Sequence, residues 1–585
     1  MSQPKVYEGV VKNLLKSLLL DLKDQFVLDD LYPSIMPGTS YDYFVERFCT
    51  LFDGYSSLRQ FIIDLSSFGK VIEKWLITGS SLDNMLTKDA CSPEAEHMWR
   101  DVLFPLLSQP IARLALVETK DDAGVRSGTP VDRAYAAYAL KFIRQFTLMF
   151  SKATFFDPVE SDSVTLNSFR DRITTPPSIY LSSKLIRKAR KLLREVLYDE
   201  NGLSAEIVQW VNNPYGRHGP GAVAGREKDL AKWDFSHLPG SDPLLYKYQE
   251  TSSSTRGRQK DFSARVILVP KDFRRKRVIC VEPKECQFGQ QGLMSVLYSL
   301  LENSYRTRRA FNFRSQEPNK LLIMKPGYST IDMKDASDRV SLMLCRLLFP
   351  RRFFKLVTLY RSRCLSFPDK SRVRPTCFAS MGSALCFPIE SLVFWLIARS
   401  TMELNGKRGA LRVFGDDLVV PSNCYDDIVA NLEASGFVIN REKSCHNTLV
   451  RESCGAWLYD SHDCAVRKLT DPIVENAQAW HSNVQAGIAL YSDFPNLATA
   501  IFLECGKFAT VPSGLCGFPN WDTNRRTRNR DKSGSPISRL SSTIQVPEVK
   551  VPASPSASRS QPVADDCVLY ANIVGNDTKV SHRRS

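Results

Sequence analysis

The sequence predicts an α+β chain, helical through its first 200 residues and built on paired short strands further on. Three observations predict it. Apolar residues recur at helical spacing near the N-terminus, in Val10, Val11, Leu14, Leu15, Leu18 and Leu19. β-Favouring runs appear beyond residue 260, and they come in pairs. One pair, Val413-Phe414 and Leu418-Val419-Val420, flanks a Gly415-Asp416-Asp417 turn and reads as a tight hairpin. At 585 residues the chain is too long for one small core, so several domains or one large multi-lobed body are expected.

Composition narrows the function. Lys and Arg outnumber Asp and Glu by 78 to 63, and a net charge of +15 favours an anionic partner, nucleic acid first. The 15 cysteines are scattered without a C-x-x-C pair. Even the densest group, Cys445-His446, Cys454, His462 and Cys464, fits no standard zinc spacing, so free thiols are expected. Lys12, Lys16 and Asp21 interrupt the leucine-rich start, so no signal peptide is read there. The apolar run Leu392 to Ala398 is too short to span a membrane. A soluble intracellular protein without a membrane partner is expected. The absence of G-x-x-x-x-G-K-[ST] argues against a P-loop motor.

Taken in order, the first helices, including Ala134 to Phe150, carry no catalytic motif and read as scaffold. Lys184 to Leu197 is an amphipathic helix. Leu185, Ala189, Leu192, Leu193 and Val196 form its apolar stripe, and Arg187, Lys188, Arg190, Lys191 and Arg194 form most of the rest. Such a face suits a phosphate backbone or open solvent equally. The loop Tyr215 to Gly225 is glycine-rich, but its spacing, Pro220 and the lack of a preceding strand exclude a dinucleotide fingerprint. Arg217 and His218 are its candidate contacts to a phosphate or a base edge. Charge density peaks from Arg256 to Arg277, where the strands Val266 to Val269 and Arg277 to Pro283 enclose a basic loop. Cations fixed on such a hairpin suit a triphosphate. A solvated charge run would not alternate with buried strands.

A strand ends near Asp332. A helix capped by Asp335 or Ser337 is expected to run through Val340, Leu342, Leu344, Leu347 and Leu348. Asp338 in its first turn suits the helix dipole. Next, Gly382 permits an unusual backbone angle before a buried helix, and Ser380 and Ser383 offer hydroxyls to a sugar. After the Gly-Asp-Asp hairpin come a helix over Tyr425 to Ser435, a strand over Gly436 to Asn440, and a hairpin over Val450 to Leu458. Lys443 between them reads as a surface lysine or a proton donor. Two adjacent carboxylates at a hairpin tip present oxygen ligands to Mg²⁺, and Asp332 from another strand end would complete such a site. From about Asn520 the chain turns basic, then Ser- and Pro-rich, and reads as a disordered tail.

The order of these pieces resembles the RNA-dependent RNA polymerases of positive-strand RNA phages, the levivirus replicase catalytic subunits. The match rests on Val269-Pro270-Lys271 with Arg277 to Pro283, Ile331-Asp332 with Ala336-Ser337-Asp338, Ser380-Met381-Gly382 with Glu390-Ser391-Leu392, Phe414 to Asp417, and Arg451 to Gly455. It covers about residues 205 to 475. The resemblance implies a right hand of palm, fingers and thumb. Residues 1–200 would be a helical scaffold, 201–325 fingers, 326–475 palm, 476–520 a thumb-like segment and 521–585 the tail. Asp332, Asp416 and Asp417 would be catalytic and hold two Mg²⁺ ions, with Mn²⁺ a substitute. Lys271 and Arg277 would meet the nucleotide's phosphates. Asp338, Ser380, Gly382 and Ser383 would lie near its ribose, and Lys443 would protonate pyrophosphate. Arg217, His218, Arg274, Arg275 and Lys276 would contact RNA.

The partners implied are template and nascent RNA, NTPs, host translation elongation factors and a ribosomal protein, in the cytoplasm of a bacterial host. Ser383 stands where the better-known members have Asn; Lys334 and Asp335 replace small residues, Arg339 is an added charge, and the tail is longer. These mark a divergent member. A non-catalytic RNA-binding protein would explain the charge and the tail but not the three carboxylates. A reverse transcriptase would typically carry Tyr-x-Asp-Asp where this chain has Phe414-Gly415-Asp416-Asp417.

Overall fold

A computed structural model describes residues 3–26, 41–90, 92–119, 128–153, 160–199, 202–212, 215–219, 221–228, 231–232, 263–272 and 274–507. The tail read from the sequence lies outside them. In chain order the principal elements are α1 (Gln3–Phe26), α2 (Leu58–Thr78), α3 (Pro130–Leu148), α4 (Asp162–Thr174) and α5 (Ser183–Leu197). Then follow β1 (Ser263–Pro270), β2 (Lys276–Val281), α6 (Lys284–Asn303), β3 (Tyr328–Ile331), β4 (Met333–Lys334), α7 (Leu342–Leu348) and α8 (Arg351–Val357). β5 (Cys364–Ser366), β6 (Arg372–Val373), α9 (Cys386–Leu404), β7 (Arg412–Phe414), β8 (Asp417–Pro421), α10 (Tyr425–Ala434) and β9 (Val438–Ile439) come next. β10 (Val450–Ser453), β11 (Ala456–Tyr459), β12 (His462–Asp463), α11 (Ala477–Leu490) and α12 (Pro495–Cys505) end the described chain. Helices and mainly antiparallel small sheets make this an α+β fold.

Start signals act where the sequence places them. Ser57 accepts from the Gln60 N–H at the head of α2. Thr129 and Asp132 form a capping box on α3, with Pro130 in its first turn. The apolar stripe of α1 is buried from Val10 to Leu22 in a core shared with α11 and α12. The first helix and the last two described helices, far apart in the sequence, therefore pack together. Asp21 joins them: its carboxylate accepts from Asn496 N at 2.8 Å and Leu497 N at 2.9 Å. It caps α12 from 475 residues away, where Phe494 supplies no side-chain cap. Burial raises its pKa to about 6, and those two N–H groups pull it back.

The central core surrounds α9, whose residues from Pro388 to Ala398 are all buried. Among the described residues no helix is long and apolar enough to cross a membrane. Beside α9, β3, β8 and β7 form an antiparallel sheet in the order β3-β8-β7. The basic hairpin is present as read, with β1 and β2 paired from Arg265–Val281 to Pro270–Lys276 and extended by β5 and β6. The hairpin read over Val450 to Leu458 is β10–β11.

Two expectations change. The helix expected from Asp335 or Ser337 breaks after one turn, at Arg339. Phe378 N donates to Val340 O at 2.6 Å and Leu342 N to Thr376 O at 2.9 Å, so a neighbouring strand-like segment takes the backbone groups a continuous helix would use. Ser341 then caps α7 through Leu344 N. The strand expected over Gly436 to Asn440 shortens to Val438–Ile439, the part that pairs with β4.

Glu282, at the end of β2, is buried beside Arg361 and accepts from the Ser362 hydroxyl. Burial lifts its pKa to about 7 from 4.5, against the pull of Ser362, Gln290 and Arg361. The folded chain therefore keeps a proton there that the unfolded chain releases. The stability tied to that proton declines as pH rises from 4.5 to 7 and stays low above. Glu282→Gln, uncharged throughout, is expected to gain on the order of 3 kcal/mol over the parent between pH 5 and pH 8. Denaturant unfolding of both chains at the two pH values measures it; an unchanged difference would contradict the assignment.

Candidate active site

The sheet register assembles the site. Ile331 pairs with Leu418, so Asp332, one residue beyond β3, lies across from Asp417 at the start of β8. Phe414 pairs with Asp417, leaving Gly415-Asp416 as a two-residue turn. Gly415 has φ +62° at the first central position, where such a turn takes glycine. The turn is pinned to α9: Gly415 N donates to Ser391 Oγ at 3.0 Å. A Cβ on Gly415 would come within 2.5 Å of the Phe387 ring. The three aspartates thus share one end of one sheet. Asp416 is exposed, while Asp332 and Asp417 are half-buried.

A short loop clasps Asp332. Asn440 Nδ2 donates to its Oδ2 at 2.7 Å, Asn440 N donates to its carbonyl at 2.9 Å, and its own N–H donates to Ser444 Oγ at 3.1 Å. Burial pushes the Asp332 carboxyl up, and Asp416 adds to it; Lys443, Asn440 and Lys271 oppose the shift. Asp417 is pushed up to about 7, first by burial and then by Asp416, and the Cys454 N–H pulls it back. Cys454 and Gly455 sit at φ +52° and +76° in the two-residue turn between β10 and β11. The motif Ser453-Cys454-Gly455 therefore delivers a donor to Asp417.

Cations face these carboxylates. Lys271 feels Lys443, Arg275 and Arg277, and loss of hydration followed by their charge lowers its pKa. Lys271 and Lys443 both act on Asp332. The basic loop is shaped by Asp272, whose carboxylate accepts from Arg274 N and Arg275 N. Its cations divide into two groups. Arg275 and Arg277 are exposed. Arg274 instead donates to Ile63 O at 2.7 Å, to Ser67 Oγ at 3.0 Å and to Ser66 Oγ, which docks the loop on α2. Lys276 pairs with Asp162 of α4.

Asp338 is the most enclosed of the candidate carboxyls, and Arg172 of α4 sits 3.5 Å from it. Burial raises its pKa to about 6; Arg172 and a hydrogen bond with Ser380 oppose the shift. Ser383 Oγ donates to Gln290 Oε1 at 3.1 Å. Gly382 has φ +117°, and Cys280 N donates to Met381 O at 2.8 Å, so this loop lies directly on β2. In the glycine-rich loop Arg217 is exposed. The His218 ring lies 5.2 Å from that of Phe288, and burial lowers its pKa. That loop rests on α6, where a Cβ on Gly292 would come within 1.9 Å of Tyr215 O.

Asn440, Ser444, Arg172 and the Cys454 N–H escaped the sequence reading as site residues. Asn440 and Ser444 stand within four residues of Lys443, but neither carries a charge that singles it out.

Among the described residues no three His, Cys, Asp or Glu side chains form a ready-made metal cage. The aspartates are an open row, coupled through charge. That donor set fits Mg²⁺, which keeps several waters and takes one or two carboxylates together with substrate phosphates.

Residues 243–475 match the family described as RNA replicase, beta-chain. The RNA-directed RNA polymerase subunit beta of Qbeta virus (strain MX1) is 32% identical over 198 residues, 33% of this chain and 33% of that protein. The RNA-directed RNA polymerase beta chain of Enterobacteria phage GA is 30% identical over 220 residues, 37% and 41% of the two chains. The chain thus spans about a third to two fifths of the length of the curated relatives it matches. Among solved structures, the RNA-dependent RNA polymerase of a human picorbirnavirus aligns at 13% identity over 77% of this chain and 88% of that one, with a TM-score of 0.39. Over residues 243–475, which hold all three strand-end aspartates, the chain is thus similar to RNA replicase beta chains.

Proposed function

We infer that the chain is an RNA-directed RNA polymerase, which joins NTPs to an RNA 3′-hydroxyl and releases pyrophosphate. The observation that supports this reading is the register that brings Asp332 to Asp416 and Asp417, opposite Lys271 and Lys443. On this reading the three aspartates hold two Mg²⁺ ions, or Mn²⁺, which when bound lower the pKa of the attacking hydroxyl and neutralise the leaving pyrophosphate. The side chains do the positioning that phosphoryl transfer asks of a protein. Lys271 and Arg277 bind the triphosphate. Asp338, oriented by Arg172 and Ser380, meets the ribose at its 2′-hydroxyl. Lys443 gives a proton to the departing pyrophosphate. Asn440 and Ser444 hold Asp332 in one orientation. Arg217 and Arg275 take RNA phosphates.

The names of the relatives support a replicase subunit of an RNA phage acting in a bacterial cell. Host translation elongation factors and a ribosomal protein would be its companions there. The test is synthesis by the purified chain from an RNA template, labelled NTPs and Mg²⁺, with and without bacterial extract. Template-length RNA is expected from NTPs and not from dNTPs. No product under either condition would refute the reading.

A further inference from the structure

The basic helix α5 belongs to a surface the site does not use. Together α5, α7 and α8 carry ten cationic side chains and one acid, Glu195. Arg306 takes that acid. Two of the ten cations are spent on packing. Arg190 Nε donates to Leu347 O at 2.7 Å, tying α5 to the end of α7, and Lys188 pairs with Glu403 of α9 at 2.6 Å. The arc of α5 between these anchors carries Lys184, Arg187, Lys191 and Arg194, all exposed. Arg346 on α7, which packs against α5, and Arg351, Arg352 and Lys355 on α8, which packs against α7, are exposed as well. Among the described residues none of these eight side chains has an ion-pair or hydrogen-bond partner.

We propose that this face, formed by α5 with α7 and α8, is a second RNA-binding surface that holds the RNA backbone away from the reacting end. It rests on the polymerase reading for the identity of the polyanion. The place is distinct from the aspartate site. Ser391 holds the Gly415 turn near the head of α9, and Glu403, which anchors α5, lies twelve residues on, about 18 Å along the helix. The four cations of α5 span about 15 Å, a row that meets several phosphates of one strand. Nucleic-acid interfaces are rich in positive charge, whereas the centres of protein interfaces are depleted of it. Tyr198, Met343 and Leu359 are the exposed large apolar side chains on or directly next to α5, α7 and α8, too few for such a centre.

The test replaces Lys184, Arg187, Lys191 and Arg194 together by Gln, a good helix former. A second set replaces Arg346, Arg351, Arg352 and Lys355 in the same way. The probes are a single-stranded RNA of about 60 nucleotides and an oligomer of about 8, short enough to fill one site only. Each set is expected to weaken binding of the long RNA at least tenfold and to make the slope of log K against log salt shallower by about 3. Affinity for the short oligomer, and incorporation directed by a short template, should stay at the parental level. Unchanged affinity and slope for the long RNA in both sets would overturn the proposal and leave the face to an acidic protein. If the first set lowers the unfolding midpoint, the second decides. Should the parent incorporate no nucleotide, the polymerase reading fails, while the salt slope still reports on this face.

Discussion

Asp416→Ala is expected to cut nucleotide incorporation by roughly 10³-fold or more, because on the polymerase reading it removes an oxygen ligand and a negative charge from the point where positioning dominates the chemistry. The fold should not suffer. Asp416 is exposed at a turn whose conformation is set by Gly415 and held by Ser391. Its charge also repels Asp417, whose pKa is already lifted to about 7. An acid with a raised folded pKa costs stability as pH climbs from its unfolded value through the folded one. Removing Asp416 reduces that cost, so stability at pH 8 should be unchanged or higher. Incorporation and denaturant unfolding of the same preparation check both halves. Retained synthesis would reject Asp416 as a catalytic residue; lost synthesis with lost stability would make it structural.

Gly382→Ala is expected to act through the backbone. A Cβ there would lie 2.3 Å from Cys280 O, a strand atom that cannot turn aside, and φ is +117°, where alanine is strained. The cost should be about 2–4 kcal/mol. Relief would lift the loop from β2 and carry Ser380 away from Asp338, so incorporation should fall with stability. Ser383→Ala, which loses the bonds to Gln290 Oε1 and from Leu385 N but adds no atom against β2, serves as the control for stability. If Gly382→Ala unfolds at the parental denaturant concentration, the close approach is not part of the native state.

Local chemistry made much of this legible. The Gly-Asp-Asp hairpin, the basic hairpin and the stripe of α1 follow from patterns in which neighbouring residues decide the outcome. Sequence could not show that Arg274 and Lys276 are taken up by α2 and α4 while Arg275 and Arg277 stay exposed. All four are equivalent cations in one dimension, and only the packing of the loop separates them. The break at Val340 was hidden for the same reason, since its cause lies at Thr376 and Phe378.

Sequence by itself determined that two carboxylates stand at one hairpin tip and a third at a strand end, because turn and strand propensities act over a few residues. Only the tertiary structure decided that they form one site. The pairing of Ile331 with Leu418 crosses 87 residues, and the loop that orients Asp332 comes from more than a hundred residues further on. Backbone hydrogen bonds between strands carry no signature in the side chains they bring together, so the register had to be seen in space.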